Sequence, residues 1–116
     1  MNEVEESEVY RGSGNVFADM GLENAEELQT KSTLSLHISR AIRRRHLTQK
    51  AAAEILGIDQ PKVSNLLRGR LDGFSTDRLL RFLVALDQDV SIVIAEKPAD
   101  QARPARLQVQ TDPRAA

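Results

Sequence analysis

The feature that most restricts the fold is a pair of short apolar segments on either side of Gly57, within LTQKAAAEILGIDQPKVSNLLRGR at residues 47–70. Each segment spans about two helical turns, and isolated helices shorter than roughly 12–15 residues are marginal in water. The two segments must therefore stabilise each other by packing. Ala52 and Ala53 supply a small surface at which one helix can closely approach another. The stretch predicts two short helices joined by a tight turn.

Residues that cap helices predict where four helices begin. Asn24, with Glu27 three residues later, forms a capping-box pattern at the start of a long first helix that continues to about Arg45. Gly57 is suited to end the second helix in the left-handed conformation, and Asp87 ends the fourth where glycine would be easier, which predicts some strain. The other caps and helices are Thr48 before 49–56, Asp59 before 60–68, and Ser75 before the fourth helix.

A run of β-branched residues, VSIVIAEK at 90–97, predicts one C-terminal strand with Val90, Ile92 and Ile94 on one side. The chain offers no second convincing strand, and a lone strand leaves its backbone groups unpaired. The same strand from a second subunit could pair with it, antiparallel about a two-fold axis, which would make these three residues a dimer interface. Pairing with the apolar stretch at 15–20 is the alternative.

Composition along the chain predicts four segments. Residues 1–14 are expected to be a disordered acidic segment, and 15–23 an apolar arm that packs on the domain as a helical turn or an extended piece. Residues 24–97 form the folded domain, including the strand, and 98–116 a disordered tail. A domain of that size is only marginally stable alone, which also favours a homodimer.

Charge is distributed unevenly in a chain of 116 residues whose formal net charge is only -1. Residues 1–30 carry eight acids against one base, a net -7, whereas residues 31–81 carry eleven bases against four acids, a net +7. A basic middle section indicates a local anionic partner such as nucleic acid, because the field depends on where charge lies. Solvated helix faces would give the same count.

Several classes of protein are disfavoured. There is no cysteine, and His37 and His46 have no partners at metal-binding or catalytic spacing. No phosphate-binding glycine loop or nucleophile motif is present, so we expect no metal, no cofactor and no enzymatic activity. The acidic N-terminus does not resemble a secretory signal, and no apolar run approaches the roughly 20 residues of a membrane helix. We expect a cytoplasmic protein that does not contact the membrane.

The spacing LTQ (47–49), Ala53, Gly57, Ile58, Val63, Leu66 and RGR (68–70) resembles the XRE-type helix-turn-helix family, the fold of phage repressors and Cro. The resemblance covers about residues 36–87. It implies an all-α, lambda-repressor-like bundle of about four helices in which 60–68 is the recognition helix, bound in the major groove of double-stranded DNA. The residues at DNA-facing positions of the family are Gln60, Pro61 and Asn65 toward bases, and Thr48, Gln49 and Arg68 toward phosphates.

Three neighbours extend this predicted DNA-binding set. Lys62 and Ser64 share the outer side of the recognition helix and could reach bases or phosphates, and Arg70 has the reach for a phosphate. Pro61 departs from the usual polar residue of the family and can make only apolar contact, for example with a thymine methyl group. Each of these residues would also be unremarkable on a solvated surface, so the motif supplies their interpretation.

A closer similarity extends outside the motif. NVFADMGLENAEEL before it, GFSTDRLLRFLVALDQDVSIVI after it, and a strand in place of a fifth helix resemble the HigA-like antitoxins. The resemblance implies a dimeric repressor of its own operon that is the antitoxin of a HigBA/RelE-type module, with a RelE-fold toxin as partner. The acidic arm and first helix are then candidates for holding a basic toxin, or the arm is simply solvated. The alternative is a stand-alone XRE-family or phage-type regulator without a toxin.

Overall fold

The longest helix, α1 (Ala25–Arg44), opens the part of the chain, residues 25–112, that this computed structural model describes. Glu26 and Glu27 lie in its first turn and Arg43 and Arg44 in its last, which complements the partial charges of the helix ends. The predicted end near Arg45 is confirmed. The predicted cap Asn24 and the segments 1–14 and 15–23 lie outside the described residues.

Three shorter helices follow: α2 (Gln49–Leu56), α3 (Gln60–Leu67) and α4 (Thr76–Ala85). The predicted caps Thr48, Asp59 and Ser75 are confirmed, because each side-chain oxygen accepts a hydrogen bond from the backbone N–H three residues later, at 3.0–3.1 Å. These bonds satisfy amides that the helix leaves unpaired and fix where each helix begins.

Two helix ends adopt the left-handed conformation at residues other than glycine. Asp87, after α4, has φ 64°, which confirms the strained end predicted there. His46, after α1, has φ 55°, which the sequence analysis did not predict. Arg45 lies close to Asp87, with their charged groups 3.8 Å apart, so the two ends meet.

One apolar core lies among the four helices. α1 packs chiefly against α4, and α2 against α3, while α3 also contacts α1. Ile38, Val63, Leu79 and Leu86, one or more from each of α1, α3 and the α4 region, are completely buried, and Ala52 provides the closely packed position on α2. The prediction of an all-α bundle of about four helices is therefore confirmed.

The predicted strand at 90–97 is not formed in this chain, and no strand occurs anywhere within residues 25–112. These residues have no regular secondary structure. The physical reason is that β-branched residues favour an extended backbone, but a strand also requires a neighbour to pair its N–H and C=O groups. The described part of this single chain supplies no such neighbour.

The C-terminal segment 98–112 has no helix or strand but returns to α1. The backbone N–H of Leu107 donates to Glu26 Oε2 at 2.8 Å, and Thr111 Oγ1 lies 3.0 Å from His37 Nε2. Val109 is partly buried against the core. A disordered tail over 98–116 stays a prediction.

Candidate nucleic-acid interface

The turn between α2 and α3 is set by Gly57. Its backbone has φ 71° and ψ 31°, and its N–H donates to the carbonyl of Ala53 at 2.9 Å. Ile58 donates to the same carbonyl at 3.1 Å, and its side chain packs against the core. Because Ala52 and Ala53 are both buried, α2 presents small residues to the helices it packs against. This local chemistry fixes the direction in which α3 starts.

α3 is attached to the body by one side only. Val63 and Leu66 are buried in the core, one turn apart on the inward side of the helix. Asp59 Oδ1 caps the helix through the backbone N–H of Lys62, and Pro61 occupies the first turn, where its missing N–H leaves no helical bond unmade. The first turn of α3 is therefore held at the surface.

The structure places the nine predicted DNA-binding residues at or near the surface, and none of them is buried. Six are exposed: Thr48, Gln60, Pro61, Lys62, Arg68 and Arg70. Three are half-buried: Gln49, Ser64 and Asn65. They occupy the start of α2, the outer side of α3 and the turn that follows α3.

The turn after α3 carries two of the predicted arginines. Gly69, between them, has φ 77°, and the backbone N–H of Arg70 donates to the carbonyl of Asn65 at 2.9 Å. Leu71 and Phe74 are buried directly afterwards. The core thus anchors the turn on its far side, while the two arginine side chains remain at the surface.

A shallow cleft adjoins the outer side of α3, between this helix and the start of α4. It brings together three of the predicted DNA-binding residues with four that were not predicted from the sequence. The lining residues are Lys62, Asn65, Arg70, Asp72, Gly73, Phe74 and Arg78.

Arg78 is held in this cleft by two aromatic rings. Its guanidinium carbon lies 5.4 Å from the ring centroid of Phe74 and 5.5 Å from that of Phe82. The two rings themselves meet edge to face, with centroids 5.9 Å apart. The four-residue spacing of Arg78 and Phe82 within α4 was the available sequence signal, since residues four apart meet on a helix surface; Phe74 lies before the helix begins.

The predicted dimer-interface residues lie beyond α4 and face water in this chain. Val90 is 38% exposed, Ile92 76% and Ile94 92%. Val93, which lies between two of them in the sequence, is 87% exposed as well. The segment therefore presents apolar side chains together with backbone groups that have no ladder partner in the described part of the chain.

Other kinds of site receive little support in the described part of the chain. No group of three or more His, Cys, Asp or Glu side chains within residues 25–112 could hold a metal ion. Burial, reinforced by the cations of Arg40 and Arg44, lowers the pKa of His37 below its ordinary value of 6.5. None of the helices in this range is long and apolar enough to cross a membrane.

Comparison with known proteins agrees with this geometry. The family model of the helix-turn-helix domain matches residues 16–95. A solved structure of a protein assigned to the XRE family of transcriptional regulators is 50% identical in sequence, with a TM-score of 0.73. That match covers 77% of this chain and 99% of the other chain. No curated protein matches this sequence.

Proposed function

The chain belongs to the XRE family of helix-turn-helix transcriptional regulators, and from this premise we propose that it is a sequence-specific repressor whose α3 enters the major groove of an operator. The observation that carries the proposal is the first turn of α3, where residues 60–62 are exposed while Val63 and Leu66 are buried. A helix attached on its inner side can offer its outer side to a groove about 12 Å wide.

Base recognition is assigned to the outer side of α3. Gln60 and Asn65 carry amides that can pair bidentately with adenine, and each such pair is worth roughly 1–3 kcal/mol of discrimination. Pro61 offers only an apolar contact, such as one with a thymine methyl group. Ser64 is half-buried and can donate to a base or a phosphate. Direct reading of the sequence therefore depends mainly on the two amides.

Phosphate contacts are assigned on both sides of the recognition helix. Lys62, Arg68 and Arg70 are exposed cations at the start of α3 and in the turn after it. Gln49 and Thr48 lie at the start of α2, where backbone amides that no helical carbonyl accepts can hold an anion. Thr48 Oγ1 already accepts from Ala51, so its hydroxyl proton remains available to a phosphate.

A dimer completes the proposal, with Val90, Ile92 and Ile94 as its contact. Antiparallel pairing of this segment between two copies would supply the backbone partners that residues 25–112 do not provide. It would also remove from water apolar surface worth about 25 cal/mol per Å². The helix-turn-helix match extends to residue 95, so this segment belongs to the domain that the family shares. Two α3 helices would then meet half-sites about 10 base pairs apart.

Two substitutions on α3 test the assignment of roles. Lys62→Ala should weaken binding to every duplex by a similar factor, because a phosphate contact carries no sequence information. Asn65→Ala should instead change the preference at one or two base pairs. Binding to the DNA upstream of the gene and to systematically mutated versions, followed by fluorescence anisotropy, separates the two. Equal, uniform losses in both variants would contradict base reading by Asn65.

The wild-type protein provides two further checks. Log affinity should fall with log salt by roughly 0.9 for every phosphate neutralised, so a flat response would exclude the phosphate contacts. Footprinting should reveal a two-fold symmetric site. An asymmetric or single half-site footprint would contradict the dimer.

We also propose that the repressor is the autorepressing antitoxin of a RelE-fold toxin, with a stand-alone XRE-family or phage-type regulator as the alternative. The net -7 charge of residues 1–30 supports it, because that charge is complementary to a basic protein partner. The product of the adjacent gene should co-purify with the full chain and dissociate when residues 1–23 are removed. Absence of any co-purifying product, with operator binding intact, would favour the stand-alone regulator.

A further inference from the structure

We propose that Arg78 is an additional DNA-backbone contact, which holds a phosphate over the cleft between α3 and the start of α4. The inference rests on the proposed function and adds a residue to the interface that the helix-turn-helix positions do not include. Four observations support it: the aromatic support of the guanidinium, its lack of an acidic partner within residues 25–112, the charge of the cleft, and the position of the cleft beside α3.

The aromatic rings restrict the Arg78 side chain before any DNA arrives. The guanidinium carbon is within 5.5 Å of the centroids of both Phe74 and Phe82, and both rings are buried in the core. An arginine that is already ordered loses less side-chain entropy when it binds, and its planar fork suits the oxygens of a phosphate. The N–H donors of a guanidinium lie in its own plane, which suits two phosphate oxygens.

The Arg78 guanidinium has no hydrogen-bond or ion-pair partner among residues 25–112, although acids lie nearby. Its backbone N–H donates to Ser75 Oγ, and within residues 25–112 the guanidinium contacts only the two rings. Arg81, one turn further along α4, instead donates to Asp77 at 3.0 Å. The two arginines of α4 thus differ in a way that provides a matched control.

The charge of the cleft favours an anion. Among the described residues, Lys62, Arg70 and Arg78 line it together with a single acid, Asp72, which gives three cations against one anion. Addition of a Cβ at Gly73 would meet no atom within 4 Å, so the floor of the cleft is open there. A phosphate oxygen can approach without displacing protein atoms at this point.

The cleft lies where a phosphate would be. Lys62 and Asn65 line the cleft and also lie on the outer side of α3 that the proposed function places against DNA. When a helix occupies the major groove, the sugar-phosphate strands flank it on both sides. A backbone phosphate on the α4 side of α3 therefore comes within reach of Arg78.

The test compares Arg78→Met with Arg81→Met. Methionine keeps an apolar stem against the two rings and removes the charge. Thermal unfolding followed by circular dichroism establishes that each variant is folded at the temperature of the binding assay. Affinity for the upstream DNA and for a scrambled duplex is then measured by fluorescence anisotropy between about 50 and 200 mM salt. The full chain is used throughout.

Arg78→Met should lower the slope of log affinity against log salt by about 0.9 per subunit, equally on both duplexes. Because the contact contributes little near 1 M salt, this change in slope means that the variant binds about fivefold more weakly than wild type, per subunit, at roughly 0.15 M salt. Arg81→Met should leave the slope and the affinity close to wild type, since Asp77 already neutralises that cation. Arg78→Lys should keep the wild-type slope, and Asp72→Asn should strengthen binding.

The outcomes separate this inference from the function on which it rests. If wild type binds the upstream DNA and Arg78→Met has the same slope as Arg81→Met, Arg78 is not a phosphate contact. If wild type binds neither duplex, the proposed function itself fails. If Arg78→Met does not fold, the other two variants test the inference instead. A reduced salt slope in Arg78→Lys, or an affinity for DNA in Asp72→Asn equal to that of wild type, would overturn the inference.

Discussion

Replacement of Gly57 by alanine tests whether the turn between α2 and α3 depends on a left-handed backbone. Gly57 has φ 71°, and a Cβ added there would meet no atom within 4 Å. Gly57→Ala should therefore strain the backbone of residue 57 without a steric clash with neighbouring residues. Gly73 is the matched control, because its surroundings are equally open but its φ lies outside the left-handed range.

The magnitude follows from two opposing terms. An L-residue in the left-handed region costs roughly 1–2 kcal/mol, whereas loss of glycine's freedom in the unfolded chain stabilises by about 0.4–1 kcal/mol. Gly57→Ala should thus lower the free energy of unfolding by about 1 kcal/mol. In Gly73→Ala only the unfolded chain is affected, because no left-handed strain arises, so this variant should be neutral or slightly more stable than wild type. The difference between the two variants, about 1–2 kcal/mol, isolates the backbone strain.

Urea unfolding followed by circular dichroism measures both variants, and thermal unfolding provides a second value. For a domain of about this size, each kcal/mol corresponds to roughly 4–8 °C in Tm. Gly69, with φ 77° and equally open surroundings, should behave like Gly57. If Gly57→Ala were as stable as Gly73→Ala, left-handed strain would not control the turn, and the reasoning would be wrong.

Three further predictions concern single side chains. Ser75→Ala should lower the free energy of unfolding by about 1 kcal/mol, because it removes the acceptor of the Arg78 amide, and Ser75→Asp should retain most of that stability in urea titrations. Leu79→Ala, at a fully buried position of α4, should lower the free energy of unfolding by about 2–5 kcal/mol. Val84→Ala on the same helix is the control, because Val84 is 60% exposed, and it should change the free energy of unfolding by less than about 0.5 kcal/mol. Similar losses in the two variants would contradict the packing described for α4. The pKa of His37 is lowered in the folded state, so the unfolded chain binds the proton more tightly and stability should fall as pH decreases from 6.5 through that lowered pKa. His37→Gln should reduce this loss relative to wild type, and parallel stability curves for the two proteins would refute it.

Much of the fold was predictable because its determinants are local. Thr48, Asp59 and Ser75 each bond to an amide three residues away, and Gly57 bonds to a carbonyl four residues away. Such contacts exist wherever the chain forms that turn, so the residue types and their spacing are sufficient to indicate them. The orientation of α3 could be predicted for the same reason, since the inward stripe of Val63 and Leu66 repeats at helical spacing.

The predicted strand is not formed in this single chain, because strand formation is not a local property. Val90, Ile92 and Ile94 have the side chains of a strand, but ladder hydrogen bonds must come from another segment. Within residues 25–112 none is provided, and the side chains remain exposed. In the proposed dimer, a second copy of the chain would supply those partners.

The sequence by itself determined the four helices, the caps of α2, α3 and α4, the turn at Gly57 and which residues α3 turns outward, since all of these follow from contacts within about four residues. Only the tertiary structure decided that Arg78 lies beside α3, supported by two rings and without an acidic partner among residues 25–112. It also decided that the C-terminal segment returns to α1, where Leu107 donates to Glu26 across 81 residues. The reason is that packing between distant parts of the chain depends on the whole core, and no spacing along the sequence specifies it.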